Sequence, residues 1–169
     1  MVTTTLQHTP TWVFGLFIAL VALGLSMSFP RSVSLRRSLM LPLALLGLSL
    51  LGVASAFGSQ PLALPAWAAG LATALLALQG RVDTSGVRFS AETRRFQVPG
   101  SWVPLALMLA LFSLKFGVGV ALAMQPELRQ STGLAVAASA AYGLFSGVFL
   151  GRALALWALA RQAMWPQHA

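Results

Sequence analysis

Five apolar runs, at residues 11–29, 39–58, 62–78, 101–124 and 132–159, contain no acidic residue and only two basic ones, Lys115 and Arg152. The first four are close to the roughly 20 residues that a helix needs to cross the hydrocarbon core of a bilayer. Such segments must be helical, because an open strand in lipid leaves its backbone N–H and C=O groups unpaired. With 57% hydrophobic and 8% charged residues and a mean hydropathy of +0.80, the chain lacks the polar side chains to cover a soluble surface. The expected fold is therefore all-α: a polytopic membrane helical bundle of five transmembrane helices, forming a single integral membrane domain over 1–169.

A formal charge of +8 would suggest nucleic acid in a soluble protein. Here the arginines occupy the segments between apolar runs, where positive charge sets orientation at an anionic membrane surface. The lipid bilayer is the expected partner, and nucleic acid is not. Arg31, Arg36 and Arg37 follow the first run, and Arg81, Arg88, Arg94 and Arg95 lie in the loop after the third. The opening "MVTTTLQHTP" and the turn "GSQP" carry no Lys or Arg, and Arg129 is balanced by Glu127. Basic and neutral loops alternate, so the N-terminus is expected outside and the C-terminus, with Arg161, in the cytoplasm. Arg31, Arg36, Arg37, Arg88, Arg94 and Arg95 are the candidate topology and headgroup contacts.

The first run has no basic residue before it and three arginines after it, the reverse of a cleaved signal peptide. Trp12, Trp102 and Trp157 near span ends, Trp67 just inside the third span and Trp165 at the surface read as lipid-facing anchors. The fifth run is too long for a simple crossing. It is expected to be one helix that emerges from the membrane, with Arg152 and Arg161 reaching the headgroups on their aliphatic stems.

The cytoplasmic loop at 80–100 is the one extended polar stretch. Val87 and Phe89 alternate with Arg88, and Phe96 and Val98 with Arg95 and Gln97, a period of two. A small cytoplasmic β-hairpin is expected there, between helices 3 and 4, with "SAET" as its turn. It serves either as a docking surface or as a basic connector. Pro104 falls in the first turn of the fourth helix, where its missing N–H costs little.

The fifth run places Ala135, Ser139, Gly143, Gly147, Gly151 and Ala155 four residues apart, and the third has a shorter series in Ala66, Gly70 and Ala74. Small residues at this spacing let a neighbouring backbone approach closely. Ser139, Gly143, Gly147 and Gly151 are the candidate packing residues. The pattern serves a contact within one chain, a homo-oligomer through helix 5 or another membrane protein equally well.

Lys115 lies near mid-depth in its span, where insertion costs about 2.5–3.5 kcal/mol. No Asp or Glu lies within a span to pair with it. Tyr142 matches its depth, Ser146 is one turn further along, and Ser49 is near the middle of the second span. Lys115, Tyr142, Ser146 and Ser49 form the candidate intramembrane polar cluster. In order of preference it is a structural clip, an anion-binding site or a lysine that snorkels outward.

Catalysis is not expected. His8 and His168 lie at the chain ends, there is no cysteine, and no acid accompanies a nucleophile within the spans. The same absences leave no candidate metal ligands and no cofactor site.

The stretches "VPGSWVPLALMLALFSLKFGVGVALAMQP", "YGLFSGVFLGRALAL" and "TPTWVFGLFIALVALGLSMSFPR" resemble a family of small uncharacterised bacterial inner-membrane proteins. The resemblance implies a bacterial source, an inner-membrane location, and Lys115, Tyr142, Gly143, Ser146, Gly147 and Arg152 as positions of the family pattern. It brings no activity with it. The expected function is a structural or accessory membrane protein acting through helix packing and its basic loop. The alternative is a small transporter or binder of an anionic or amphiphilic ligand, using Lys115.

Overall fold

The computed structural model describes residues 11–82, 84–90 and 95–164. Asp83, Glu92, Arg94, Trp165, His8 and His168 lie outside these, as does the side chain of Trp12. In chain order the elements are α1 (Thr11–Met27), β1 (Arg31–Ser34), α2 (Leu35–Phe57), α3 (Ala63–Leu78), β2 (Arg88–Ser90), β3 (Arg95–Val98), α4 (Val103–Met124) and α5 (Thr132–Met164). A 3₁₀ turn at Pro126–Gln130 precedes α5. They fall into two compact units, one from the segments ending at Pro30 and spanning Gly100–Pro126, the other from Arg31–Pro99 and the residues from Glu127 onward.

The first unit is the antiparallel pair α1 and α4. The Ser101 N–H donates to the Met27 carbonyl at 3.1 Å. Gly24 abuts Leu105, and the Phe17 and Phe112 rings lie 5.2 Å apart. Phe112 stacks in turn on Phe116 at 6.1 Å. Pro104 sits in the first turn of α4, where no intrahelical donor is lost.

In the second unit, Ser34 caps α2, its hydroxyl accepting from the Arg37 N–H at 3.4 Å. The chain runs out along α2, turns at Gly58–Leu62 and returns along α3. At the turn, the Gln60 amide donates to the carbonyls of Arg129 (3.4 Å) and Gln130 (3.0 Å), and Thr132 donates to Gln60 Oε1 (3.2 Å). The start of α5 is thereby tied to the start of α3. The two helices then run parallel, meeting at Gly70 and Ala140, at Trp67 and Gly143, and at Ala74 and Gly147.

The opposite end of this unit carries a three-stranded antiparallel sheet in the order β1-β3-β2. Val33 and Phe89 both lie opposite Phe96, and Arg31 lies opposite Val98. Directly opposed residues share a face, so Val33, Phe89, Phe96 and Val98 make an apolar side. Phe96 is fully buried, and its ring lies 4.9 Å from that of Phe89. The other side carries Ser32, Arg88, Arg95 and Gln97, all exposed. The anticipated hairpin strands are present, and β1 adds a third that the sequence did not suggest. "RSVS" has a single apolar residue, so its alternation is visible only once β3 stands beside it.

Among the described residues three helices are long and apolar enough to cross a membrane: Arg36–Phe57, Val103–Met124 and Thr132–Met164. The apolar helices α1, with 17 residues, and α3, with 16, are shorter. With 16 residues, α3 rises about 24 Å, less than the roughly 30 Å of a hydrocarbon core. By contrast α5 is one unbroken helix of 33 residues, about 50 Å long.

Candidate functional site: a buried polar node and a basic sheet

Within the second unit, α2, α3 and α5 meet around one main-chain oxygen. The Trp67 Nε1–H donates to Ser49 Oγ at 3.1 Å, and the Ser49 hydroxyl donates to the Tyr142 carbonyl at 3.4 Å. The Ser146 hydroxyl donates to the same carbonyl at 2.9 Å. All four residues are buried. A hydroxyl in an apolar interior costs free energy unless it is paired, and here each serine finds a partner by reaching backbone or indole. Ser49, Tyr142 and Ser146 are thus together, joined through the Tyr142 main chain. Lys115, half-buried in α4, belongs to the other unit.

Trp67 corrects the expectation of a lipid-facing anchor. It is 8% exposed, and its indole is a member of the node. A tryptophan just inside a span end suits an interfacial girdle and a helix contact alike. What decides is Gly143, whose missing side chain leaves room for the Trp67 backbone.

The α3–α5 contact is graded along its length. A Cβ on Gly143 would collide with the Trp67 carbonyl and lie 2.9 Å from the Leu71 nitrogen. One on Gly147 would lie 2.6 Å from the Ala74 Cβ and 2.7 Å from the Leu71 oxygen. One on Gly151 would meet only Leu78 and Leu75 side chains, at 3.2 Å and beyond. The helices are closest near the node and separate toward the sheet end. Ser139, on the same small-residue series, is fully buried, and its hydroxyl has no hydrogen-bond partner among the described residues.

The second feature is electrostatic. The β1–β3 pairing draws Arg31 of β1, Arg36 and Arg37 of the first turn of α2, and Arg88 and Arg95 of the other two strands to one end of α2 and α3. Arg31 is the one basic residue on the apolar side of the sheet, and desolvation by burial lowers its pKa from the ordinary value. Arg161, at the same end of α5, lies 5.1 Å from the Trp157 ring centre. Among the described residues no three His, Cys, Asp or Glu side chains come together as metal ligands.

Several apolar helices, three of them of spanning length among the described residues, packed through small residues, define a helical membrane protein. The chain belongs to a family of unknown function (DUF6622), whose model matches residues 1–167. No curated protein and no solved structure matches it significantly.

Proposed function

We propose that this is a non-enzymatic accessory protein of a bacterial inner membrane, which holds anionic headgroups of the cytoplasmic leaflet against its basic sheet. The bacterial setting follows the family resemblance. The observation that carries the reading is the pairing of Arg31–Ser34 with Arg95–Val98. Two segments that share a sheet lie on one side of the membrane, so α2 and α3 between them make one crossing each way. The short α3 still traverses, because it runs beside α5 from the Gln60 turn toward the sheet end. α1 ends just before β1, α4 begins just after β3, and α5 finishes at the sheet end. This accords with five crossings, with the N-terminus outside and the C-terminus in the cytoplasm. The concentration of arginine supports a cytoplasmic sheet end.

The sheet adjoins the membrane directly, since β1 runs into α2 with no linker residue. Its exposed Arg88 and Arg95 therefore lie within a Debye length of the leaflet, where each arginine contributes about 1 kcal/mol of attraction to anionic lipid. Lys115 serves as a structural clip in this reading.

The experiment is hydrogen exchange of the full chain in nanodiscs. Sheet amides are expected to exchange more slowly in anionic than in zwitterionic discs, and Arg88→Gln with Arg95→Gln should erase the difference. Lys115→Leu should leave it intact. Equal exchange in both discs for the native chain contradicts the reading.

A further inference from the structure

Beyond the node, α3 and α5 part to leave a groove of about 550 Å³. Its origin is local. α3 stops at Leu78, and Gly80 then adopts a positive φ of 69°, which turns the chain away from the helix axis. α5 continues straight on, so its residues from Gly151 to Gln162 lose their partner helix over about 16 Å. Leu75, Leu78 and Leu154 give the groove its apolar lining, while Gln79, Thr84 and Gln162 bring amides and a hydroxyl. The volume falls within the range of about 300–1,000 Å³ usual for ligand clefts.

The geometry points to a binding site for one anionic diacyl phospholipid of the cytoplasmic leaflet, with an acyl chain between α3 and α5 and its headgroup at the amide-lined end. Three arginines adjoin lining residues in sequence: Arg81 between Gly80 and Val82, Arg152 after Gly151, and Arg161 before Gln162. Asp83 offsets part of this charge, and the balance stays positive. A zwitterionic lipid would fill the apolar part equally well but gain nothing from the arginines. A groove lined by carbon and by amides, with arginines next to its lining residues in sequence, suits an anionic amphiphile. The inference rests on the membrane orientation proposed above, but it uses a different surface from the sheet.

Native mass spectrometry of the full chain in mild detergent tests it, with phosphatidylglycerol and phosphatidylcholine of identical acyl chains as probes. The native chain should retain one phosphatidylglycerol in preference to phosphatidylcholine. Ala158→Phe fills the groove from an exposed lining position and should lower retention about tenfold, the effect of displacing roughly two methylenes of chain contact. Gln162→Leu, also exposed, removes a mouth amide without filling the groove and should lower retention less. Arg161→Gln with Arg81→Gln should remove the preference for phosphatidylglycerol while leaving phosphatidylcholine retention unchanged. Undiminished retention in both Ala158→Phe and Gln162→Leu overturns the site, and equal retention of the two lipids by the native chain overturns its anionic character. Arg88→Gln with Arg95→Gln should not alter retention, so failure of the sheet reading and failure of the groove are separately visible.

Discussion

Gly143 of α5 lies against the main-chain carbonyl of Trp67 in α3, so closely that no side chain fits between the two backbones. Tight contact of this kind matters more in lipid than in water. Apolar side chains gain little from leaving one hydrocarbon for another, so van der Waals fit and interhelical hydrogen bonds hold the helices together. The same contact brings the Trp67 indole to Ser49 and fixes where the polar node forms.

The graded approach of α3 and α5 predicts a graded mutational series. Gly143→Ala should destabilise by about 3 kcal/mol, because the obstructing atoms are backbone and the helices must separate. Gly147→Ala should cost about 2 kcal/mol. Gly151→Ala meets a Leu78 side chain rather than backbone, and the better helix propensity of alanine offsets the crowding to within about 1 kcal/mol. Thermal unfolding in detergent should rank the three in that order, and a flat series would show that the helices do not approach as described.

The node should behave as a coupled unit. Trp67→Phe and Ser49→Ala each remove the same indole–hydroxyl bond, so their effects should be less than additive. A double-mutant cycle is expected to give a coupling of about 1 kcal/mol. A coupling near zero would mean that the 3.1 Å bond contributes nothing to holding α2 on α3.

Ser139 should go the other way. Its hydroxyl is fully buried without a partner among the described residues, so Ser139→Ala removes a desolvated polar atom and leaves the small-residue packing intact. The variant should match or exceed the native stability, by up to about 1 kcal/mol. Loss of stability would reveal a bond to Ser139 that the described residues do not supply.

The sheet depends on one ring. Phe96 is fully buried with Val33 on one side and Phe89 on the other, and Phe96→Ala should cost about 3–5 kcal/mol locally. The expected signature is loss of amide protection over β1, β2 and β3 with the helices unchanged. Arg95→Gln, on the exposed side, should alter stability by less than about 0.5 kcal/mol. If both substitutions left the sheet equally protected, its apolar side would not be what holds it.

The helices could be seen in the sequence because runs of about 20 uncharged residues have no other outcome in lipid. The strands around Phe89 and Phe96 showed through their alternation. β1 did not, since four residues with one apolar side chain carry no period, and Arg31 already had a sufficient explanation in topology. The shared depth of Ser49, Tyr142 and Ser146 could be counted from the span ends, but the acceptor that joins them is a backbone carbonyl, which has no sequence signature. Trp67 was misjudged for a related reason, since its burial depends on a glycine 76 positions away. The groove beside Gly151 follows from where α3 stops relative to α5, a relation between two helices that neither sequence segment contains.

Arg31–Ser34 and Arg95–Val98 share one sheet, which the proposed orientation sets on one side of the membrane, opposite the Gln60 turn. The chain has no native cysteine, so single thiols report cleanly on side. Ser32→Cys, Gln97→Cys, Ser59→Cys and Gln130→Cys all fall at exposed positions. An impermeant maleimide added to intact cells should label the thiols at 59 and 130, and those at 32 and 97 only after the inner membrane is opened. Labelling of 32 and 97 from opposite sides would contradict the account.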